Sequence, residues 1–255
     1  MRGTTLIKFC EPERLMVLIM PMKIERLDKI LANMGYGTRK EVKLLVRTGV
    51  VKIDGEVVKK SDIKVKPDAA IITVNDKQVV YKEFIYLMLN KPQGYISATN
   101  DKMHPTVIDL VPDEFVHYET FPVGRLDIDT EGLLLLTNDG NLAHNLLSPK
   151  KHVPKTYFAQ VLYEVSDDDI TAFEQGIILD DDYKTLPAKL QKADDGYLVT
   201  IYEGKFHQIK RMFEGVGNKV TYLKRIKMGG LPLDEALELG EMREITKEEM
   251  DKLWI

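Results

Sequence analysis

The sequence is poor in the residues from which many functional sites are built. It has a single cysteine, Cys10, in 255 residues. That excludes an internal disulfide framework and suits a reducing compartment, so the expected location is cytoplasmic. The five histidines, His104, His117, His144, His152 and His207, show no ligand-type pairing, which excludes a structural zinc site and argues against a catalytic one. There is no Gly-x-x-x-x-Gly-Lys phosphate loop and no dinucleotide fingerprint. No serine sits on a Gly-x-Ser-x-Gly elbow. No apolar run approaches the roughly 20 residues of a membrane helix, so no membrane partner is expected. The early run Leu15-Met-Val-Leu-Ile-Met20 is too short for a signal segment and follows Glu11 and Glu13. Residues 1–22 are read as a ragged extension, with Met1, Met20 or Met22 as the start. Fixed-period repeats and low-complexity segments are absent.

A strong net charge is missing too, since the total is −4. The charge is sorted, however. Residues 22–66 hold 12 Lys and Arg against 6 Asp and Glu, a local balance of about +6. Residues 205–227 hold seven basic residues against Glu214, again about +6. Residues 164–182 hold eight acids and no base; beginning Ser166-Asp-Asp-Asp, they read as a solvated helix start. Basic patches on a mildly acidic chain point to an anionic partner.

The first basic patch coincides with a small module. Ile24, Leu27, Leu31 and Met34 fall at helical spacing, and Gly35-Tyr-Gly37 stops that helix. Thr38-Arg-Lys-Glu41 is a capping box opening a second helix, with Val42, Leu45 and Val46 inward. Val50 to Val58 reads as two short strands around Asp54-Gly55, a type I′ hairpin signal. A last strand and a linker follow, with Asn75-Asp-Lys-Gln78 as a polar hinge. Lys29, Arg39, Lys40, Lys43, Arg47 and Lys52 line the polar side. This can be a solvated face, but Arg39 and Lys40 sit in a first helical turn, where cations oppose the helix dipole and phosphate would reverse the cost.

Beyond it, strands outnumber helices. Candidate strands fall at 84–90, 132–137, 156–162, 197–202 and 220–226. Candidate helices fall at 141–147, after Ser166, after Gln208 and at 245–253. Short turns between strands predict a mixed, mostly antiparallel sheet with flanking helices, and an α+β fold class. The expected domains are 23–78 and 79–255.

The stretch Phe121-Pro-Val-Gly-Arg-Leu-Asp-Ile-Asp-Thr-Glu-Gly-Leu-Leu-Leu-Leu-Thr-Asn-Asp-Gly140 crowds charge against a run that is apolar on both faces. Such a run, closed after six residues by a turn signal, is a buried strand. Charge beside it must be paired, shift its pKa or face outward. Arg125, Asp127 and Asp129 would share one face of an extended segment. Lys210 and Arg211 occupy the first turn of a helix and call for a nearby anion, either a carboxylate of the protein or an external phosphate.

Two resemblances rest on these residues. Arg26-Leu-Asp-Lys, Gly37-Thr-Arg-Lys-Glu-Val and Gly49-Val-Val-Lys-Ile-Asp-Gly resemble the S4 domain, an RNA-binding module. Four further blocks appear in the order seen in pseudouridine synthases of the RsuA/RluB/E/F group. They are Leu89-Asn-Lys-Pro-Gln-Gly-Tyr-Ile-Ser97, the Gly124–Gly140 stretch, Lys155-Thr-Tyr157 and Glu203-Gly-Lys-Phe-His-Gln-Ile-Lys-Arg-Met212. The stretch Lys205-Phe-His-Gln-Ile-Lys-Arg-Met-Phe-Glu-Gly-Val-Gly-Asn218 looks most like the RsuA branch, which acts on 16S ribosomal RNA.

The resemblance implies a pseudouridine synthase fold and an rRNA-modifying isomerase. It implies no cofactor or metal, ribosomal RNA as partner and a monomer. Position by position, Asp127 matches the catalytic aspartate, Tyr157 the tyrosine stacked on the target base, and Lys210 the basic residue paired with the aspartate. Arg125 matches the residue that replaces the flipped base. Arg211, Arg39, Lys40, Lys43 and Arg47 are expected to face RNA. Lysine at 210 stands where many relatives have arginine, so bidentate pairing is not expected. Asp129 and Glu131 are expected to hold the loop. Two other readings stay open: a non-catalytic RNA-binding protein acting through the S4-like module, and a glycoside hydrolase using Asp127 and Asp129 as paired carboxylates about 7 Å apart at Cα.

Overall fold

The computed structural model describes residues 23–254; the expected extension at 1–22, with Cys10, lies outside them. Two α+β units follow one another. In the first, helices Leu27–Asn33 and Arg39–Arg47 pack over a small sheet. Thr38 and Glu41 exchange the reciprocal bonds of a capping box, the Thr38 amide donating to Glu41 at 2.7 Å. This satisfies donors that a helix start otherwise leaves unpaired. Leu27, Ile30, Leu31, Val42 and Val46 are fully buried against Val51, Ile72 and Val74. Strands Val51–Ile53 and Glu56–Val57 turn through Asp54 and Gly55, both at positive φ (50° and 86°), as a type I′ turn requires.

Two expectations for this unit are corrected. Ile24 is 63% exposed and precedes the first helix, because Glu25–Arg26 pairs as a strand with Lys64–Val65. The 75–78 stretch is a second tight hairpin and not a hinge. Asn75 and Asp76 take φ of 50° and 63°, and Lys77–Gln78 folds back on Ile72–Val74. Val79 and Tyr81 then bury into the small core.

The second unit is built on a nine-stranded sheet. Its main path runs Lys189–Ala193, Gly196–Ile201, Lys155–Val161, Val220–Met228, Glu131–Thr137, Tyr86–Lys91 and Met242–Glu244. Among the described strands every pairing is antiparallel except that of 131–137 with 220–228. The Glu131–Thr137 strand is central, which explains leucines on both its faces. Leu134 and Leu136 enter one core, and Leu133 and Leu135 the other. Burying each stabilises the fold by about 1.5–3 kcal/mol.

Helices cover both faces. Asp167–Gln175, capped by Ser166, and Gln208–Gly215 bring Phe173 and Phe213 together at 5.0 Å over the first core. Gly140–Leu147 supplies Ala143 and Leu146 to the second. The terminal helix is shorter than its pattern suggests, Lys247–Lys252, because Thr246 serves as its cap.

Gly132 fixes how closely the two central strands approach. Its φ is +98°, and a Cβ there would lie 2.2 Å from the Arg225 carbonyl oxygen. Gly132→Ala combines a clash with backbone strain, itself worth about 1–3 kcal/mol. Denaturant unfolding should show a loss at least that large. Gly55→Ala, where nothing lies within 4 Å, should lose only about 1 kcal/mol. Equal midpoints for the two variants would overturn this account.

Candidate active site

The segment between Pro122 and Glu131 is a loop, not an extended strand. Its shape comes from a lysine. Lys91, at the end of the Tyr86–Lys91 strand, is fully buried, and its Nζ donates to the carbonyls of Pro92 (3.0 Å), Asp127 (3.1 Å) and Thr130 (2.9 Å). The Gly94 amide donates to the Ile128 carbonyl at 2.8 Å. The Ser97 hydroxyl donates to the Leu126 carbonyl and accepts from the Leu126 amide, both at 3.0 Å. Residues 91–97 are therefore a cradle whose polar groups grip the loop backbone. Inside it the Thr130 amide donates to the Asp127 carbonyl at 3.1 Å, closing a turn that pushes both carboxylates outward.

There they meet a single cation. Lys210 Nζ lies 3.2 Å from Asp127 Oδ2 and 2.6 Å from Asp129 Oδ1. Lys210 is in the first turn of Gln208–Gly215, so carboxylates of the protein supply the anion that its place on the helix calls for. Burial works against the charged forms of Asp129 and Lys210, but their hydrogen bond and mutual attraction prevail. Asp129 is held below, and Lys210 above, its ordinary range. A carboxyl held down in this way is poorly suited to the general-acid role that a paired-carboxylate hydrolase asks of one of its two members. Glu131 accepts from the Tyr222 hydroxyl at 2.6 Å; burial first, then this bond, raises the phenol.

These groups open on a cleft of about 650 Å³ lined by Arg125, Asp127, Tyr157, Lys210, His207 and Arg225, among others. Tyr157 rises from the Lys155–Val161 strand and pairs across the sheet with Arg225. The Arg225 guanidinium lies 6.0 Å from the Tyr157 ring centre, only 2% exposed, with Nε donating to the Leu133 carbonyl at 2.7 Å. Lys155 is beside it; burial, then the Arg225 charge, lowers its ammonium to about 8. Arg125 is exposed on the loop rim and has no ion pair among the described residues.

Arg211, grouped on sequence grounds with RNA-facing residues, turns to Asp180 and Asp181 and to the Phe206 carbonyl. Its side chain is 13% exposed, so little of it remains for another partner. Part of the acidic run is therefore an internal counterion and not merely a solvated helix start. Arg39, Lys40, Lys43 and Arg47 lie exposed on the second helix of the small unit, without ion pairs among the described residues. Lys29 and Lys52 are occupied by Glu25 (2.8 Å) and Asp76 (2.5 Å).

Sequence reasoning missed Lys91, Arg225 and His207. Lys91 reads as part of a turn, although a lysine closing the apolar run Ile85–Leu89 is a detectable signal. Arg225 falls two residues after the buried Leu223 in a strand, which places it on the inward face. His207 has no comparable signal; its Nε2 stands 3.7 Å from Asp127 Oδ1.

Comparison with known proteins gives a consistent result. The RNA pseudouridylate synthase family model matches residues 85–215, and the S4 domain model matches residues 25–71. The chain is 54% identical over 233 residues to YtzG of Bacillus subtilis, described as an uncharacterized RNA pseudouridine synthase, covering 89% of this chain and 98% of that one. It is 39% identical over 227 residues to ribosomal small subunit pseudouridine synthase A of Escherichia coli, covering 88% and 98%. A crystal structure of a pseudouridylate synthase superposes with a TM-score of 0.63 at 40% identity, covering 89% of this chain and 99% of the other.

The buried lysine makes stability depend on pH. Burial lowers Lys91 to about 8 from 10.5, with nearby carboxylates opposing the shift. Between these values the unfolded chain holds more protons than the folded one, so this group's contribution to stability rises with pH. Thermal unfolding from pH 7.5 to 9.5 should show that rise. It should be smaller in Lys91→Met, where Lys155 still contributes. Lys91→Met should also lose about 1–3 kcal/mol for each carbonyl left without a donor. A variant with wild-type stability and an unchanged pH slope would refute the cradle.

Proposed function

This chain belongs to the RNA pseudouridylate synthase family, and from that premise we propose that it converts one uridine of small-subunit ribosomal RNA to pseudouridine. The relatives named for the small ribosomal subunit, matched over nearly their whole length, support the substrate. The chemistry is carried by one observation: Asp127, braced by Lys210, at the wall of a cleft also lined by Tyr157. At about 650 Å³ the cleft falls in the range that encloses a small ligand.

In this reading the S4-like unit docks on RNA through Arg39, Lys40, Lys43 and Arg47, and the larger unit reacts. The target nucleotide leaves its stack, costing a few kcal/mol, and Arg125 on the exposed rim takes its place. The uracil lies on Tyr157, a contact worth about 1–3 kcal/mol. The Asp127 carboxylate engages the nucleoside as nucleophile or as counter-charge to positive charge at C1′. The N1–C1′ bond breaks, the base turns, C5 bonds to C1′, a proton leaves C5 and N1 gains one. The reaction is an isomerisation, so no atom or electron is imported. Lys210 keeps the carboxylate aimed; as a point charge it bridges two aspartates at once, where an arginine fork would grip one.

Asp127→Asn preserves shape and removes the charge. Pseudouridine formation on small-subunit rRNA in vitro should fall by at least roughly 10²-fold; an unchanged rate would sink the proposal. Chemical mapping of pseudouridine in rRNA from cells with and without the gene identifies the target. RNA bound but never isomerised would instead favour the non-catalytic reading. Replacing Arg39, Lys40, Lys43 and Arg47 by Ala should weaken RNA binding and flatten its salt dependence by about one slope unit per lost phosphate contact. Undiminished affinity would remove that helix from the interface.

A further inference from the structure

We propose that Phe206 is a stacking platform for the nucleobase next to the target uridine, a reading that rests on the function proposed above. Phe206 is 68% exposed, and its ring lies nearly parallel on the His207 imidazole, with centres 3.8 Å apart and planes 18° apart. His207 covers one face of the phenyl ring and leaves the other uncovered. Both residues line the reactive cleft. Since His207 Nε2 stands 3.7 Å from Asp127 Oδ1, the order along the wall is Asp127, His207, Phe206. A base resting on Phe206 thus lies on the same cleft wall as Asp127, with His207 between them.

A single exposed phenylalanine is ordinary. This one is held in place. His207 adopts a left-handed backbone, φ +49°, which non-glycine residues seldom do and which the surrounding structure must enforce. Its carbonyl accepts from the Arg211 amide at 3.0 Å, and the Phe206 carbonyl accepts from the Arg211 guanidinium at 3.4 Å. Arg211 is itself fixed by Asp180 and Asp181. On the other side Gln208 accepts from the Lys205 amide at 2.9 Å and donates to Glu203 at 3.2 Å. The segment 203–208 is therefore anchored at both ends. Lys205 places its ammonium 4.3 Å from the centre of the Tyr183 ring, on the same cleft wall. A free aromatic face with a cation beside it is how proteins hold single-stranded nucleic acid: the ring takes a base and the cation the backbone. The arrangement also gives the internal ion pairs of Arg211 a purpose, since they keep the ring pair at a set distance from Asp127.

The test crosses a protein change with an RNA change. Wild type, Phe206→Ala and Phe206→Trp are assayed on an RNA hairpin carrying the mapped target uridine. Parallel hairpins carry an abasic residue on its 5′ or its 3′ side. On intact RNA, Phe206→Ala should raise KM about tenfold, with a much smaller change in kcat, and Phe206→Trp should restore KM. One of the two abasic hairpins should cost the wild type a similar factor, and on that hairpin Phe206→Ala should cost nothing more. Losses that multiply on both abasic hairpins, or an unaltered KM in Phe206→Ala, would overturn the inference while leaving the enzymatic reading standing. Absence of pseudouridine from wild type on intact RNA would overturn both.

Discussion

The Lys91 ammonium under the Asp127 loop is the contact on which the site depends. Two main-chain carbonyls of a loop with no regular structure, Asp127 and Thr130, converge with that of Pro92 on one buried cation. Without it the loop would have to satisfy those oxygens with water, and its turn would have no fixed direction. With it, the turn through Asp127 and Thr130 is set, and the side chains of Asp127 and Asp129 are delivered to Lys210. The ammonium carries the cost of its own burial, visible in its lowered affinity for a proton. The carboxylates around it offset part of that cost.

The central strand converts this local arrangement into a cleft. Glu131–Thr137 is buried on both faces, so it cannot shift register without exposing leucines. One neighbour brings Lys91 and the other brings Arg225, while Tyr157 faces Arg225 from the strand beyond. The helix bearing Lys210 packs its Ile209, Met212 and Phe213 into the same core. Each group around the cleft is therefore positioned by a different element, and the shared core keeps their distances.

Much of this was legible in the sequence, for identifiable reasons. The leucine run, the Thr38–Glu41 capping box, the Asp54-Gly55 turn and the acidic start at Ser166 are local signals with local causes, and each folds as its pattern indicates. That Lys210 needs an anion followed from charge placed against a helix dipole; that the anion is Asp127 came from the family resemblance. One failure was local and the others were long-range. The 75–78 stretch has the composition of a linker, yet Asn75 and Asp76 tolerate the positive φ that makes a hairpin. Arg211 has the charge to meet RNA, but acids from a distant run reach it first. Lys91 and Arg225 draw their importance from carbonyls and rings that only the tertiary fold brings near. No window of sequence contains both partners.

The single parallel pairing has a consequence for how the molecule comes into being. Arg225 and the Leu133 carbonyl it holds are separated by 92 positions. The floor of the cleft is thus joined across most of the larger unit, and closing so long a loop costs entropy before any contact repays it. A nascent chain that has not yet delivered residue 225 has Asp127, Tyr157 and its small S4-like unit, but no floor beneath the cleft. The order of synthesis delivers the S4-like unit first, while the residues that complete the cleft wait for the last third of the chain.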